Sequence, residues 1–190
     1  GNFHKKDIKQ MAIDRGYHQL AAKSESYEIC FIPDNDYRGF LKRRVEGLEE
    51  KVKDGNFVSV SGEVVGKHDG YPFYTIGQRK IGVSLGNEPT YVVGINEIDN
   101  IVVVGTKEDL KKQEMYVRNI NYVKYSKLTD GVQLLVKVRY KHNGEMATIT
   151  NEGDDLKVLF HNKVEGIAPG QSAAFYDGND LVAGGFIMKR

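Results

Sequence analysis

Cysteine occurs once in the 190 residues, at Cys30. A single cysteine excludes an internal disulfide framework and a cysteine-rich zinc site, so its chemistry, if it has any, is that of a thiol. An excess of either charge is missing too: 27 Lys and Arg stand against 26 Asp and Glu, a formal net charge of +1. Such a chain has no long-range pull on nucleic acid, and any RNA contact must be local. No apolar run is long enough to span a bilayer, and the opening GNFHKKDIKQ contains no apolar signal region, so a cytoplasmic location without a membrane partner is expected. Nucleotide-binding loops are also lacking: there is no GxxxxGK[ST], no GxGxxG after a strand and no Ser-Gly-Gly loop. The five histidines are scattered without metal-ligand spacing, so no metal is expected.

What is present is a foldable composition, 40% hydrophobic and 28% charged, long enough for one domain or two small ones. Ile8, Met11 and Ala12 recur at helical spacing before Gly16 and predict a helix over 5–15. Tyr37, Phe40, Leu41 and Val45 predict another over 36–46, with Asp34, Asn35 and Asp36 offering N-cap oxygens. Past Gly47 the pattern turns to strands, with hairpins over 57–66 and 91–104 and a polar, glycine-rich loop between them. Periodicity fades over the lysine-rich 106–113. Strands are then expected at 116–122, 132–140, 145–150, 156–160, 172–176 and 181–188, turned by Asn143-Gly144, Pro169-Gly170 and Asp177-Gly178. Six short strands with regular turns predict a small closed barrel.

Four groups of residues bear on chemistry. Cys30 lies in Ile29-Cys30-Phe31-Ile32, which reads either as a buried strand or as a thiol whose pKa is lowered by the helix N-terminus that follows. Gly77-Gln78-Arg79-Lys80, preceded by Tyr71, Phe73 and Tyr74, is the mixture of rings and cations that single-stranded nucleic acid uses; a solvated turn is the other reading. His68-Asp69-Gly70 reads as a turn rather than a catalytic dyad, since adjacent turn residues seldom face each other. Lys137, Arg139 and Lys141 share one face of an expected strand, either as a phosphate-binding stripe or as plain surface.

Three stretches resemble the tRNA-specific 2-thiouridylases of bacteria and organelles: Ser26-x-x-Ile29-Cys30-Phe31-Ile32; Gly66-x-His68-Asp69-Gly70 running to Tyr74-Thr75-Ile76-Gly77-Gln78-Arg79-Lys80; and Pro169-Gly170-Gln171-Ser172-Ala173-x-Phe175-Tyr176 with Gly184-Gly185. The resemblance runs along essentially the whole chain. It departs from the family at Glu25, where Asp is usual, and at Ile81–Gly86, where a more glycine-rich stretch is usual.

The resemblance implies a mainly β chain with some α. Residues 1–32 would be the end of an N-terminal ATP-binding catalytic domain plus a linker, 33–107 a central α+β domain, and 108–190 a six-stranded barrel. It implies an enzyme that uses ATP to activate C2 of the wobble uridine and replaces its oxygen with sulfur. Cys30 matches the persulfide carrier, and Arg139, Tyr140 and Gln171 match tRNA contacts, the Arg-Tyr pair on a barrel strand. Arg79 and Lys80 join them from the reading of their own loop. The implied partners are tRNA, a persulfide sulfur-donor protein and the missing N-terminal domain, which would hold ATP. This chain alone would then be inactive. The rival readings are a noncatalytic RNA-binding barrel module of translation-factor type and an adaptor that docks the sulfur donor.

Overall fold

A computed structural model describes residues 2–23, 31–32, 34 and 36–189. The chain divides into two compact units, 1–48 and 49–190. The first holds α1 (Lys5–Asp14), α2 (His18–Ala22) and α3 (Tyr37–Arg44). None of these helices contains a buried residue. The carboxylate of Asp36 accepts the Gly39 N–H at 2.8 Å, filling one of the unpaired donors of the first turn of α3. Asp34 accepts from Arg43 at 3.0 Å and, through its other oxygen, from the Asp36 N–H. That backbone bond, ahead of the Arg43 contact, holds the Asp34 carboxyl below its ordinary pKa.

The second unit opens with α4 (Leu48–Val52), so the change to strands comes later than the sequence suggests; a five-residue helix is too short to show a period. β1 (Gly55–Ser59) and β2 (Val64–His68) form one hairpin, and β3 (Tyr91–Asn96) and β4 (Ile101–Gly105) another. Parallel pairing of β1 with β4 joins them into a sheet of order β2-β1-β4-β3. One face buries Phe57, Val92, Val102 and Val104 beneath Ile81 and Tyr74.

Six strands then close a barrel: β5 (Lys111–Tyr122), β6 (Val132–Lys137), β7 (Glu145–Glu152), β8 (Asp155–Glu165), β9 (Ser172–Asp177) and β10 (Asp180–Ile187). Their circular order is β10-β5-β8-β7-β6-β9, all antiparallel. Alternate residues such as Leu134 and Val136, Ala147 and Ile149, and Leu156, Val158 and Phe160 point inward and are buried with Phe175. The fold is therefore the mainly β one expected, a mixed sheet plus a closed six-stranded barrel. No described helix is long and apolar enough to cross a membrane.

One side chain ties the sheet's connections together. Asn100, in the left-handed region at φ 51°, donates to the Val52 carbonyl at 2.6 Å and the Lys53 carbonyl at 3.2 Å. Its own oxygen accepts the Tyr71 N–H at 3.3 Å. It thus serves the exposed end of α4 and fixes the start of the 71–80 loop. Asn100→Ala is expected to destabilise the chain by about 1–3 kcal/mol through these lost bonds. Asn100→Gly, which relieves the backbone strain, should cost less, and urea unfolding of the two variants checks the order.

Candidate nucleic-acid interface

The 71–80 segment is folded back on β3 by backbone bonds. Gly77, at φ 87°, donates to the Val92 carbonyl at 2.8 Å, and Val92 donates to the Gln78 carbonyl at 3.0 Å. The Gln78 side chain closes the turn by accepting the Thr75 N–H at 3.0 Å. Gly and Gln are thus consumed in shape, which leaves Arg79 and Lys80 exposed at the end of a rigid turn. The Arg79 guanidinium lies over the Tyr91 ring, 5.6 Å from its centroid. With Ser84, Asn87, Glu88 and Thr90 these two cations line a notch of about 330 Å³.

His68 lies at the end of β2, buried against Phe57 and Tyr74 with ring centroids 5.0 and 5.3 Å away. Its Nδ1 accepts the Gly70 N–H at 3.0 Å. Gly55 leaves the space the ring occupies, since a Cβ there would collide with it. His68 therefore shapes the HDG turn and takes no part in a dyad, in line with the sequence reading. Burial, opposed by the Asn56 backbone and the Asp69 charge, lowers its pKa.

The expected strand over 132–140 is corrected. β6 stops at Lys137, and Arg139-Tyr140 stands in the connection to β7 rather than on a barrel strand. The apolar alternation runs on through buried Val138, which explains the longer expectation. Pairing ends there because the His142 N–H turns back to the Arg139 carbonyl at 3.1 Å, and His142 Nδ1 accepts the Val138 N–H at 3.4 Å. Lys137, Arg139 and Lys141 consequently form no stripe: Lys137 Nζ lies over Tyr176, 5.4 Å from the ring centroid, and Arg139 pairs with Glu165 at 3.4 Å. Glu165 also holds Lys107 at 3.6 Å. Between the anchored Arg139 and the exposed Lys141, Tyr140 is 98% exposed.

Gln171 occupies the turn between β8 and β10's neighbour β9. Its N–H donates to Ala168, and its carbonyl accepts from Ile187 at 2.8 Å, and the residue lines a cleft of about 1060 Å³ between sheet and barrel. The structure thus sets Arg79 and Lys80, Arg139 and Tyr140, and Gln171 on three separate loops. Cys30 lies outside the described residues. Of its motif, Phe31 and Ile32 are described, and neither is in a strand: Ile32 is buried, whereas Phe31 is exposed and meets Phe40 at 5.6 Å. The anchor of Arg139 was missed in the sequence, because Glu165 is 26 residues away and no local pattern links the two.

Residues 38–106 match the family described as tRNA methyl transferase PRC-barrel domain, and 112–187 match the Aminomethyltransferase beta-barrel domain. The chain is 54% identical over 190 residues to the tRNA-specific 2-thiouridylase MnmA of Cytophaga hutchinsonii, covering 98% of this chain and 51% of the relative. It is 53% identical to the protein of that name from Amoebophilus asiaticus, covering 98% and 50%, and 46% identical to that of Salinibacter ruber, covering 98% and 49%. The chain belongs to the tRNA-specific 2-thiouridylase family. It spans about half the length of the curated relatives it matches.

The resemblance brings ATP with it, and two places among the described residues, a helix start and a pair of cations, do not fit a triphosphate. The N-terminus of α3 is closed by the carboxylate of Asp36 with Asp34 beside it, which repels an anion where a phosphate loop would donate to one. The Arg79–Lys80 notch sets two cations against Glu88, too little positive charge for a triphosphate.

The buried His68 gives a pH prediction. Its folded pKa is lowered, so the unfolded chain binds the proton more tightly. The stability it contributes is present above its unfolded value of about 6.5 and is lost as pH falls towards and through the folded value. The thermal midpoint should therefore fall between about pH 7 and 5, and fall less steeply in His68→Gln. Parallel pH profiles for the two proteins would show that His68 is not the titrating group.

Proposed function

We propose that this chain supplies the tRNA-binding surface and the persulfide cysteine of a tRNA-uridine 2-sulfurtransferase acting in the cytoplasm. The observation that carries the reading is the Arg139–Tyr140 loop: an ion-paired cation beside a ring that is 98% exposed, on a chain whose relatives are named tRNA-specific 2-thiouridylases. An isolated tyrosine in water gains nothing by exposure; a fully exposed ring between two cationic residues suits stacking on an unpaired base. Arg79 and Lys80 add phosphate contacts from a turn whose shape does not depend on RNA.

In this reading Cys30 carries the sulfur. Its thiolate attacks the outer sulfur of a donor protein's persulfide, the donor's S–S bond breaks, a Cys30 S–S bond forms, and the donor leaves as a thiolate. On the resemblance, ATP would be held outside this chain and would supply the chemistry that activates the uridine C2 oxygen. On the same resemblance 1–32 would be the end of an N-terminal domain and a linker, 33–107 a central domain and 108–190 the barrel domain, whereas the compact units of the structure divide between residues 48 and 49.

Two measurements test this. Given tRNA, ATP and a persulfide donor, the 190-residue chain should form no 2-thiouridine by nucleoside mass spectrometry, and its appearance would place activation within this chain. In tRNA binding by fluorescence anisotropy, Tyr140→Ala should weaken affinity about fivefold or more at unchanged salt slope, with Tyr140→Phe close to the parent. Arg79→Ala with Lys80→Ala should instead lower the slope by about two. Wild-type binding by all three variants would reduce these loops to ordinary surface.

A further inference from the structure

The cleft between sheet and barrel has no part in the reading above beyond Gln171 at its border. At about 1060 Å³ it is large enough for a small-molecule site. Tyr71, Tyr74 and Tyr116 line it together with Gln113, whose amide donates to the Phe160 carbonyl at 3.3 Å, Gln171, Ile76 and Ile95. Its charged residues are Lys112 and Lys189 against Glu97 and Glu114, so it is balanced. Two of the four are tied across the cleft, Lys189 donating to Glu97 at 2.9 Å, and Glu114 is paired with Lys157 at 3.3 Å. Such a lining does not favour an anion. It suits a neutral, flat, hydrogen-bonding group.

One loop connects this space to phosphate chemistry. Thr75 and Ile76 line the cleft, and Arg79 and Lys80 of the same turn line the basic notch. A nucleotide has these two parts, a neutral planar base and an anionic phosphate, within one residue's reach. We propose that the cleft is a subsite for one unpaired nucleobase of the bound RNA, separate from the uridine that is modified, with the adjoining phosphates on Arg79 and Lys80. This rests on the RNA-binding reading and adds a place where RNA without an accessible base cannot go.

Gly94 provides the means to fill the cleft. It lines the space from β3, and a Cβ there would meet only the Val103 side chain, at 3.5 Å, an ordinary contact. The experiment uses the whole chain with labelled isoleucine methyl groups, an unmodified tRNA transcript, and a fully paired RNA duplex as the second probe. With tRNA, Ile76 and Ile95 should shift while Ile149 of the barrel core and Ile8 of α1 stay still; the duplex should bind without moving the cleft methyls. Gly94→Leu should weaken tRNA binding about tenfold, leave duplex binding unchanged, and keep the Ile149 signal of the folded barrel. If tRNA binds and the cleft methyls do not move, or if the duplex moves them equally, the subsite is overturned and RNA binding stands. Absence of binding by either RNA overturns both. An apolar peptide that moves these methyls when tRNA does not would mark a protein-docking groove and also overturn the proposal.

Discussion

Closure of the barrel through β5 is the constraint on which the second unit depends. β5 is the one strand that pairs with both β8 and β10 and so completes the ring. A closed ring leaves no strand edge to pair with another chain. It also commits alternate residues of every strand to one interior, where Phe160, Phe175 and Ile149 are almost wholly buried and stabilise it by removing apolar area from water. Because the strands are held by their neighbours, the turns between them can be spent on display. The 138–144 connection and the Pro169–Gln171 turn both project from this fixed frame.

The sheet's loops are fastened by different means. Its loops are pinned by polar bonds: Asn100 to α4 and to Tyr71, Gln78 within its own turn, and His68 inside the HDG corner. These bonds consume residues that a motif reading would list as functional. The cations that remain exposed, Arg79 and Lys80, are positioned by them. Lys80 itself sits at φ 56°, in the left-handed region, a conformation the docked turn has to sustain.

Much of this was legible in the sequence, for identifiable reasons. The barrel strands were, because one face is buried and alternation is the direct imprint of that burial: Leu134 and Val136, or Leu156 and Val158. The cap of α3 was, because an aspartate before a helical stripe has a local function. α2 and α4 were not, since five residues carry no period. Nor was the parallel pairing of β1 with β4, which joins segments separated by the whole 60–100 stretch. The end of β6 was misjudged because Val138 keeps the alternation although backbone pairing has ceased. Among site residues, the exposed loops could be named from their motifs. Glu165 as the anchor of Arg139, and the cleft shared by Thr75, Tyr116 and Gln171, could not, because their parts meet only in three dimensions.

The RNA surface proposed above lies on the loops of the second unit. Ultraviolet cross-linking of the 190-residue chain to unmodified tRNA, with peptide mapping by mass spectrometry, addresses it most directly. The cross-linked peptides should contain Tyr140 and the Tyr74–Lys80 turn. Cross-links confined to the helices of the first unit or to barrel strands away from these loops would contradict it.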